Sequence, residues 1–175
     1  MAVLVTGGVR SGKSRHAESL LAAQDVTYIT PGYPADGTSD AEWSARVAAH
    51  RLRRPASWRT VETVDIASAI AAAPGPVLVD CLGTWLTRLI DDWEAWDEAD
   101  AAIAVRLQPE VDALVRAVSQ HPGALVLVTN EVGWGVVSEH RAGRIFADHL
   151  GRINQQVAAA CDTVVLMVAG RPLSI

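Results

Sequence analysis

Val3-Leu4-Val5-Thr6-Gly7-Gly8-Val9-Arg10-Ser11-Gly12-Lys13-Ser14 is an apolar run that passes directly into Gly, four residues, Gly-Lys-Ser. The second half has the spacing of a phosphate-binding loop, and the first half supplies the strand such a loop must follow. Gly7 and Gly12 permit positive φ and let the backbone approach a ligand with no Cβ in the way. The amides of residues 8–13 are then expected to turn inward as a nest, backed by the positive end of a helix opened by Lys13 and Ser14. A polyanion suits that geometry. Lys13 would bridge the β and γ phosphates of a nucleoside triphosphate, and the Ser14 hydroxyl would ligate Mg²⁺. Gly7, Gly8, Val9, Arg10, Ser11, Gly12, Lys13 and Ser14 form the first part of the expected nucleotide site.

Further apolar, β-branched runs recur at residues 26–30, 77–79, 125–129 and 164–168. Each is nearly continuous, the pattern of parallel strands buried on both faces. Helix-like segments lie between them, at residues 13–23, 39–53, 66–73, 82–93, 97–120 and 139–160. Strands alternating with helices predict a doubly wound α/β sheet. Ser39-Asp40-Ala41-Glu42 has the spacing of a capping box, so a helix is expected to open there, with Pro55 as its stop. Pro74-Gly75-Pro76 and Pro122-Gly123 punctuate the entries to two of the strands. No internal repeat or linker is visible, and residues 1–175 are expected to make a single nucleotide-binding and catalytic domain.

Half of the residues are apolar and a fifth are charged, the composition of an ordinary globular protein. A formal net charge of -5 argues against broad binding to nucleic acid or membrane surfaces. Cys81 and Cys161 make neither a disulfide framework nor a zinc pattern and are expected to pack as small hydrophobes. The first residues enter a strand without the n-region and h-region of a secretion signal, and no apolar run approaches the ~20 residues of a membrane span. A cytoplasmic location is expected.

Two constellations beyond the loop carry chemistry. Val77-Leu78-Val79-Asp80 is an apolar strand ending in a carboxylate, the arrangement a Walker B element uses to hold Mg²⁺ beside a phosphate loop. Many strands end in Asp for turn chemistry alone; the loop upstream favours Asp80 as a metal partner. The second constellation is Arg46, His50, Arg51, Arg53 and Arg54. Residues 46, 50 and 53 stand at i, i+4 and i+7 and share one helix face. One reading is a solvated basic face with an incidental histidine. The other is a nucleophilic imidazole beside guanidinium groups that hold a triphosphate and stabilise charge on its α phosphorus.

These residues resemble a known family. The segment from Val3 to Glu18, together with Ala45-Arg46-Val47-Ala48-Ala49-His50-Arg51-Leu52-Arg53-Arg54-Pro55 and Trp58-Arg59-Thr60-Val61-Glu62, is similar to adenosylcobinamide kinase/adenosylcobinamide-phosphate guanylyltransferase. Val79-Asp80-Cys81-Leu82 with Thr84-Trp85-Leu86-Thr87 resembles the family's metal-site strand and following helix. Asn130-Glu131-Val132-Gly133-Trp134-Gly135 resembles its late loop, and Gly151-Arg152-Ile153-Asn154-Gln155 its late helix. The likeness runs in order along nearly the whole chain.

The resemblance implies an α/β phosphate-loop NTPase fold of RecA-like type, a mostly parallel sheet flanked by helices in three layers. It also implies two reactions of cobalamin assembly. A nucleoside triphosphate, ATP or GTP, phosphorylates adenosylcobinamide; GTP then transfers GMP to that phosphate through a covalent GMP-histidine, giving adenosylcobinamide-GDP and pyrophosphate. The histidine that aligns is His50, and where some members carry two adjacent histidines this chain has Ala49-His50. Lys13, Arg51, Leu52, Arg53 and Arg54 fall in the nucleotide-binding segments, and Ser14 and Asp80 would hold Mg²⁺. Glu62 aligns with a carboxylate that contacts guanosine, whose N1 and N2 protons two oxygens could accept. Thr30-Pro31-Gly32 takes the place of a nucleotide-contacting loop, with residue types that differ from the family's Ala-Thr-Ser or Ala-Thr-Ala. The resemblance further implies a homo-oligomer, a trimer with sites between subunits.

His16, His121, His140 and His149 are weaker candidates for chemistry, in helix or helix-end settings. Of the six tryptophans, Trp134, in its glycine-flanked loop, is the one expected to pack on the corrin face. Two other functions fit the phosphate loop: a single-function small-molecule kinase, and a nucleotide-dependent switch. Retained His50 and Glu62 speak against the first, and the lack of an Asn-Lys-x-Asp motif against the second among familiar GTPases.

Overall fold

A computed structural model of the chain describes residues 1–33, 45, 48 and 54–175. Its described elements run β1 (Ala2–Gly7), α1 (Lys13–Leu20), β2 (Thr27–Thr30), β3 (Arg59–Glu62), α2 (Ile66–Ala72), β4 (Val77–Asp80), α3 (Leu82–Asp92), α4 (Asp100–Gln120), β5 (Leu125–Val128), α5 (Arg141–Ala159), β6 (Thr163–Val168) and β7 (Arg171–Ser174). The strands form one sheet in the order β3-β2-β4-β5-β1-β6-β7, parallel throughout except for the final β6–β7 pair.

The five inner strands are buried on both faces because their alternate residues feed two cores. Leu4, Ile29, Val77, Val79, Leu125 and Leu127 join the apolar stripes of α2 to α5 in one of them. Val3, Val5, Tyr28, Leu78, Val126, Val128 and Met167 join Ala17 and Leu21 from α1 and its exit, with Trp58, in the other. Helices, sheet and helix make the three layers predicted. On the crowded face α2 packs on α4, and α5 packs on both α3 and α4. His149, one of the weaker candidate histidines, is buried there with Nε2 3.0 Å from Asp100 Oδ1, a link between α5 and the start of α4.

The five strands expected from apolar runs are all present. Two more, β3 and β7, were not expected as strands: Arg59-Thr60-Val61-Glu62 and Arg171-Pro172-Leu173-Ser174 are short, polar and largely exposed, as edge strands are. Helix ends move by up to three residues. α1 stops at Leu20, where the Leu21 and Gln24 amides turn back onto Glu18 and Leu21. α4 opens at Asp100 instead of residue 97, because the Glu98 amide closes a turn onto Ala95. The helix expected over residues 39–53, with its capping box, lies outside the described residues apart from Ala45 and Ala48, which are helical; Arg54 and Pro55 are not, in keeping with the expected stop.

Candidate active site

The carboxyl ends of the parallel strands share one edge of the sheet, where ligands of such folds bind. β1 delivers the phosphate loop to that edge. Gly7 has φ 150° and Gly12 φ 98°, and a Cβ built on Gly7 would stand 2.5 Å from the Met167 carbonyl. Only glycine fits there. Gly12 precedes α1, which begins at Lys13 as the loop pattern requires.

Lys13 is only 8 % exposed, and its Nζ donates to the Gly8 carbonyl at 2.7 Å. Burial lowers its pKa from the usual lysine value, while the negative charge of Asp80 acts in the opposite direction. The loop also contains a buried orphan, Ser11 Oγ, and Thr6 Oγ1 at the end of β1 is another. Unpartnered polar atoms at this position suit an anion's arrival. The loop is braced from behind by the β6–β7 turn: the Gly170 amide donates to the Ser11 carbonyl at 3.0 Å.

Asp80 ends β4, one strand removed from β1 because β5 lies between them. Two strand spacings put their axes about 10 Å apart, across which Asp80 acts on Lys13. The Asp80–Cys81 peptide is cis. Cys81 and Thr84 then cap α3 reciprocally, the Cys81 amide donating to Thr84 Oγ1 at 3.4 Å, and Thr84 Oγ1 also donates to the Cys81 carbonyl at 2.9 Å. Burial, followed by the charge of Asp80, pushes the Cys81 thiol up and keeps it protonated; it serves as a cap and packing group. A hydroxyl at Ser14 and a carboxylate at Asp80 are hard oxygen donors of the kind Mg²⁺ takes alongside phosphate and water, so the residue set fits that ion.

Tyr28, on β2, connects this centre to the next. Its Oη donates to Asp80 Oδ2 at 3.0 Å, and the Arg54 guanidinium sits over its ring 3.9 Å from the centroid. Arg54 Nη1 in turn donates to Thr60 Oγ1 on β3 at 3.0 Å. Beside this chain of contacts lies an open cavity of about 630 Å³ lined by Arg54, Pro55, Ala56, Trp58, Thr60 and Glu62. Thr30 and Glu62 are paired in register at the ends of β2 and β3, so the expected nucleotide loop and the expected base-reading carboxylate are neighbours. Pro31 and Gly32 are buried, which leaves Thr30 as the hydroxyl of that segment nearest the edge. Tyr33 then latches onto α3 through Asp91 Oδ2 at 2.6 Å.

A further polar set at the end of β5 joins the late loop and late helix quoted above for their resemblance to the family, though its residues were not among the expected site residues. Thr129 Oγ1 donates to Asn154 Oδ1 at 2.6 Å, Asn154 Nδ2 donates to the Asn130 carbonyl at 3.0 Å, and the Glu131 amide donates to the Gly7 carbonyl at 3.0 Å. The loop after β5 is thereby fastened to the phosphate loop. Two polar residues closing an otherwise apolar strand were the available signal, as for Asp80. Arg46, His50, Arg51, Leu52 and Arg53 lie outside the described residues.

The sequence model of cobinamide kinase / cobinamide phosphate guanyltransferase matches residues 3–175. The chain belongs to that family. Membership makes it a bifunctional enzyme of adenosylcobalamin biosynthesis, kinase and guanylyltransferase in one chain. Among similar proteins of known function are the bifunctional adenosylcobalamin biosynthesis proteins CobU of Salmonella typhimurium and of Escherichia coli, each 42 % identical over 181 residues, spanning 97 % of this chain and 97 % of theirs. CobP of Pseudomonas aeruginosa is 40 % identical over 178 residues, spanning 97 % of this chain and 94 % of its own. Among solved structures, an ATPase from the type III secretion system of pathogenic bacteria superposes on 94 % of this chain with a TM-score of 0.58 at 13 % identity. The chain spans half of that ATPase's length, and the likeness is one of phosphate-loop fold. For this family member, nucleotide use follows from the phosphate loop and the two named reactions. Among the described residues no helix is long and apolar enough to cross a membrane.

Proposed function

We propose that both reactions are organised around a triphosphate held by residues 7–14, with His50 as the covalent carrier of GMP. In the first, the terminal hydroxyl of adenosylcobinamide attacks the γ phosphorus of ATP or GTP. The bond from that phosphorus to the bridging oxygen breaks, the nucleoside diphosphate leaves and the hydroxyl proton is released. In the second, a ring nitrogen of His50 attacks the α phosphorus of GTP and pyrophosphate leaves. The phosphate of adenosylcobinamide phosphate then attacks the same phosphorus, the P–N bond breaks, and adenosylcobinamide-GDP departs with the imidazole restored. An imidazole with a pKa of ~6.5 has a neutral, nucleophilic fraction at physiological pH.

The observation that carries this reading is the contact chain from Asp80 through Tyr28 to Arg54, which joins the carboxylate acting on Lys13 to the cavity that Arg54 and Glu62 line. His50 lies four residues before Arg54 in the sequence. Lys13 and the cations at Arg51, Arg53 and Arg54 offset phosphate charge, with Leu52 carried in the same segment. Mg²⁺, held by Ser14 and Asp80, would add Lewis-acid neutralisation of the phosphate oxygens. Glu62 accepts from N1 and N2 of guanine, a donor pair that adenine lacks, and Thr30-Pro31-Gly32 forms the adjoining wall. The enzyme works in the cytoplasm as a homotrimer, without nucleic acid.

Mass spectrometry after incubation with GTP and Mg²⁺ tests the proposal. A GMP adduct is expected on the peptide that holds His50, and His50→Ala is expected to lose labelling from [α-³²P]GTP while still phosphorylating cobinamide. Labelling that survives this substitution would remove His50 from the mechanism. Light scattering tests the assembly, and a monomer at working concentration would refute the trimer.

A further inference from the structure

Between β5 and α5 the chain crosses residues 129–140 without helix or strand, yet both ends of this connection are fixed. At its start the Glu131 amide is bonded to the Gly7 carbonyl, and the Gly133 amide donates to Glu131 Oε1 at 3.0 Å. At its end Arg144 Nη1 donates to the carbonyls of Ser138 at 2.9 Å and Glu139 at 2.8 Å. Between the anchors Trp134 is 73 % exposed, Val136 fully exposed and Val137 76 % exposed. Single exposed apolar side chains are ordinary; three within four residues on a loop clamped at both ends mark a contact surface.

We infer that the tip formed by Trp134, Val136 and Val137 is the platform on which the corrin ring of the acceptor rests. This deepens the two-reaction reading and depends on it for the identity of the acceptor. A corrinoid must present one small group, first a hydroxyl and then a phosphate, to a phosphorus atom held at residues 7–14, while its macrocycle is too broad to enter that loop. The apolar tip is tied to that loop by a short stretch of chain. Gly7 opens the phosphate loop and is bonded to Glu131, and Trp134 is three residues further on, within about 11 Å of chain. Residues 132–138, Val-Gly-Trp-Gly-Val-Val-Ser, carry no charge, which suits a ring fringed with methyl and amide groups and not a nucleotide polyanion. A flat indole between two glycines offers broad contact at small entropic cost. Neither Val136 nor Trp134 belongs to either core, so both can be changed without disturbing the sheet.

The experiment compares the intact enzyme with Trp134→Ser, Val136→Ser and the double variant. Four quantities are measured: cobinamide affinity by equilibrium dialysis without nucleotide, the kinase KM for cobinamide, GMP labelling by GTP alone, and assembled mass by light scattering. The double variant is expected to weaken cobinamide binding and raise its KM by at least about tenfold, with GTP labelling and mass unchanged. Trp134→Phe, which keeps an aromatic face, is expected to retain most of the affinity. Unchanged cobinamide affinity overturns the inference. So does a loss of assembled mass, which would make the tip a contact between copies of the chain. Absence of GMP labelling in the unsubstituted enzyme would refute the guanylyl step, while the dialysis result would still decide the role of the tip.

Discussion

Tyr28 Oη donates to Asp80 Oδ2 at 3.0 Å, tying β2 to β4 close to where both strands end. The ring beneath the Arg54 guanidinium and the hydroxyl on the carboxylate make one residue a partner of both the cationic segment and the carboxylate proposed to hold Mg²⁺. Tyr28→Phe keeps the ring and deletes the bond. A hydrogen bond to a charged group contributes about 1.5–3 kcal/mol, so the Mg²⁺ concentration for half-maximal kinase activity is expected to rise several-fold and kcat to fall about three- to tenfold, with the KM for GTP little changed. Mg²⁺ titration of the two proteins checks it, and superimposable curves would show that Asp80 needs no help from the hydroxyl.

The same phenol predicts an alkaline signature. Burial, followed by the charge of Asp80, raises the Tyr28 pKa well above 10, with Arg54 opposing. The folded enzyme then holds the phenolic proton more tightly than the unfolded chain. Its stabilisation is complete below pH 10 and is lost as pH climbs from there toward the folded value. Melting temperatures between pH 9 and 11 are expected to fall more steeply for the unsubstituted enzyme than for Tyr28→Phe.

Lys13 shows the opposite sign. Burial lowers its pKa, so the folded state holds the ammonium proton less well than the unfolded chain does. The charged side chain costs stability at neutral pH, and the cost fades as pH rises through the folded value toward 10.5. Lys13→Met is expected to lose at least about 100-fold in both reactions and to melt a few degrees higher at pH 7. The stability gain should shrink by pH 10 in parallel melts of the two proteins.

Glu62→Gln exchanges one carboxylate oxygen for an amide donor, which in the proposed base contact would face a guanine donor with another donor. The KM for GTP in guanylyl transfer is expected to rise about 10- to 100-fold, while ATP-supported phosphorylation of cobinamide stays within twofold. Steady-state kinetics with the two nucleotides distinguishes this from a general loss of folding, in which both would fall together.

The phosphate loop, the five apolar strands and the carboxylate that ends β4 were legible because each is a local pattern: glycine spacing, continuous β-branched runs, an acid closing a strand. β3 and β7 were not, since an edge strand needs neither two apolar faces nor length, and Pro172 can sit on an edge without breaking a ladder. The centre divides in the same way. Lys13 and Asp80 announce themselves in sequence, whereas Tyr28 reads as one more residue of an apolar run. Its role follows from the register of β2 on β4, which brings together residues 52 positions apart. Nor could periodicity show that the loop after β5 is bonded to Gly7, because such a tie depends on β5 lying next to β1.

The bracing of the phosphate loop by the β6–β7 turn bears on how the protein is made. The ribosome releases residues 7–14 long before residues 163–170, yet β1 is flanked by β5 and β6, and the Ser11 carbonyl finds its partner at Gly170. A nascent chain that has not yet extruded residues 163–170 lacks one neighbour of its central strand and the backing of its loop. Nucleotide stabilises only a state able to bind it, so it can act as a folding ligand once β6 has emerged and offers no rescue to a chain stalled before β6.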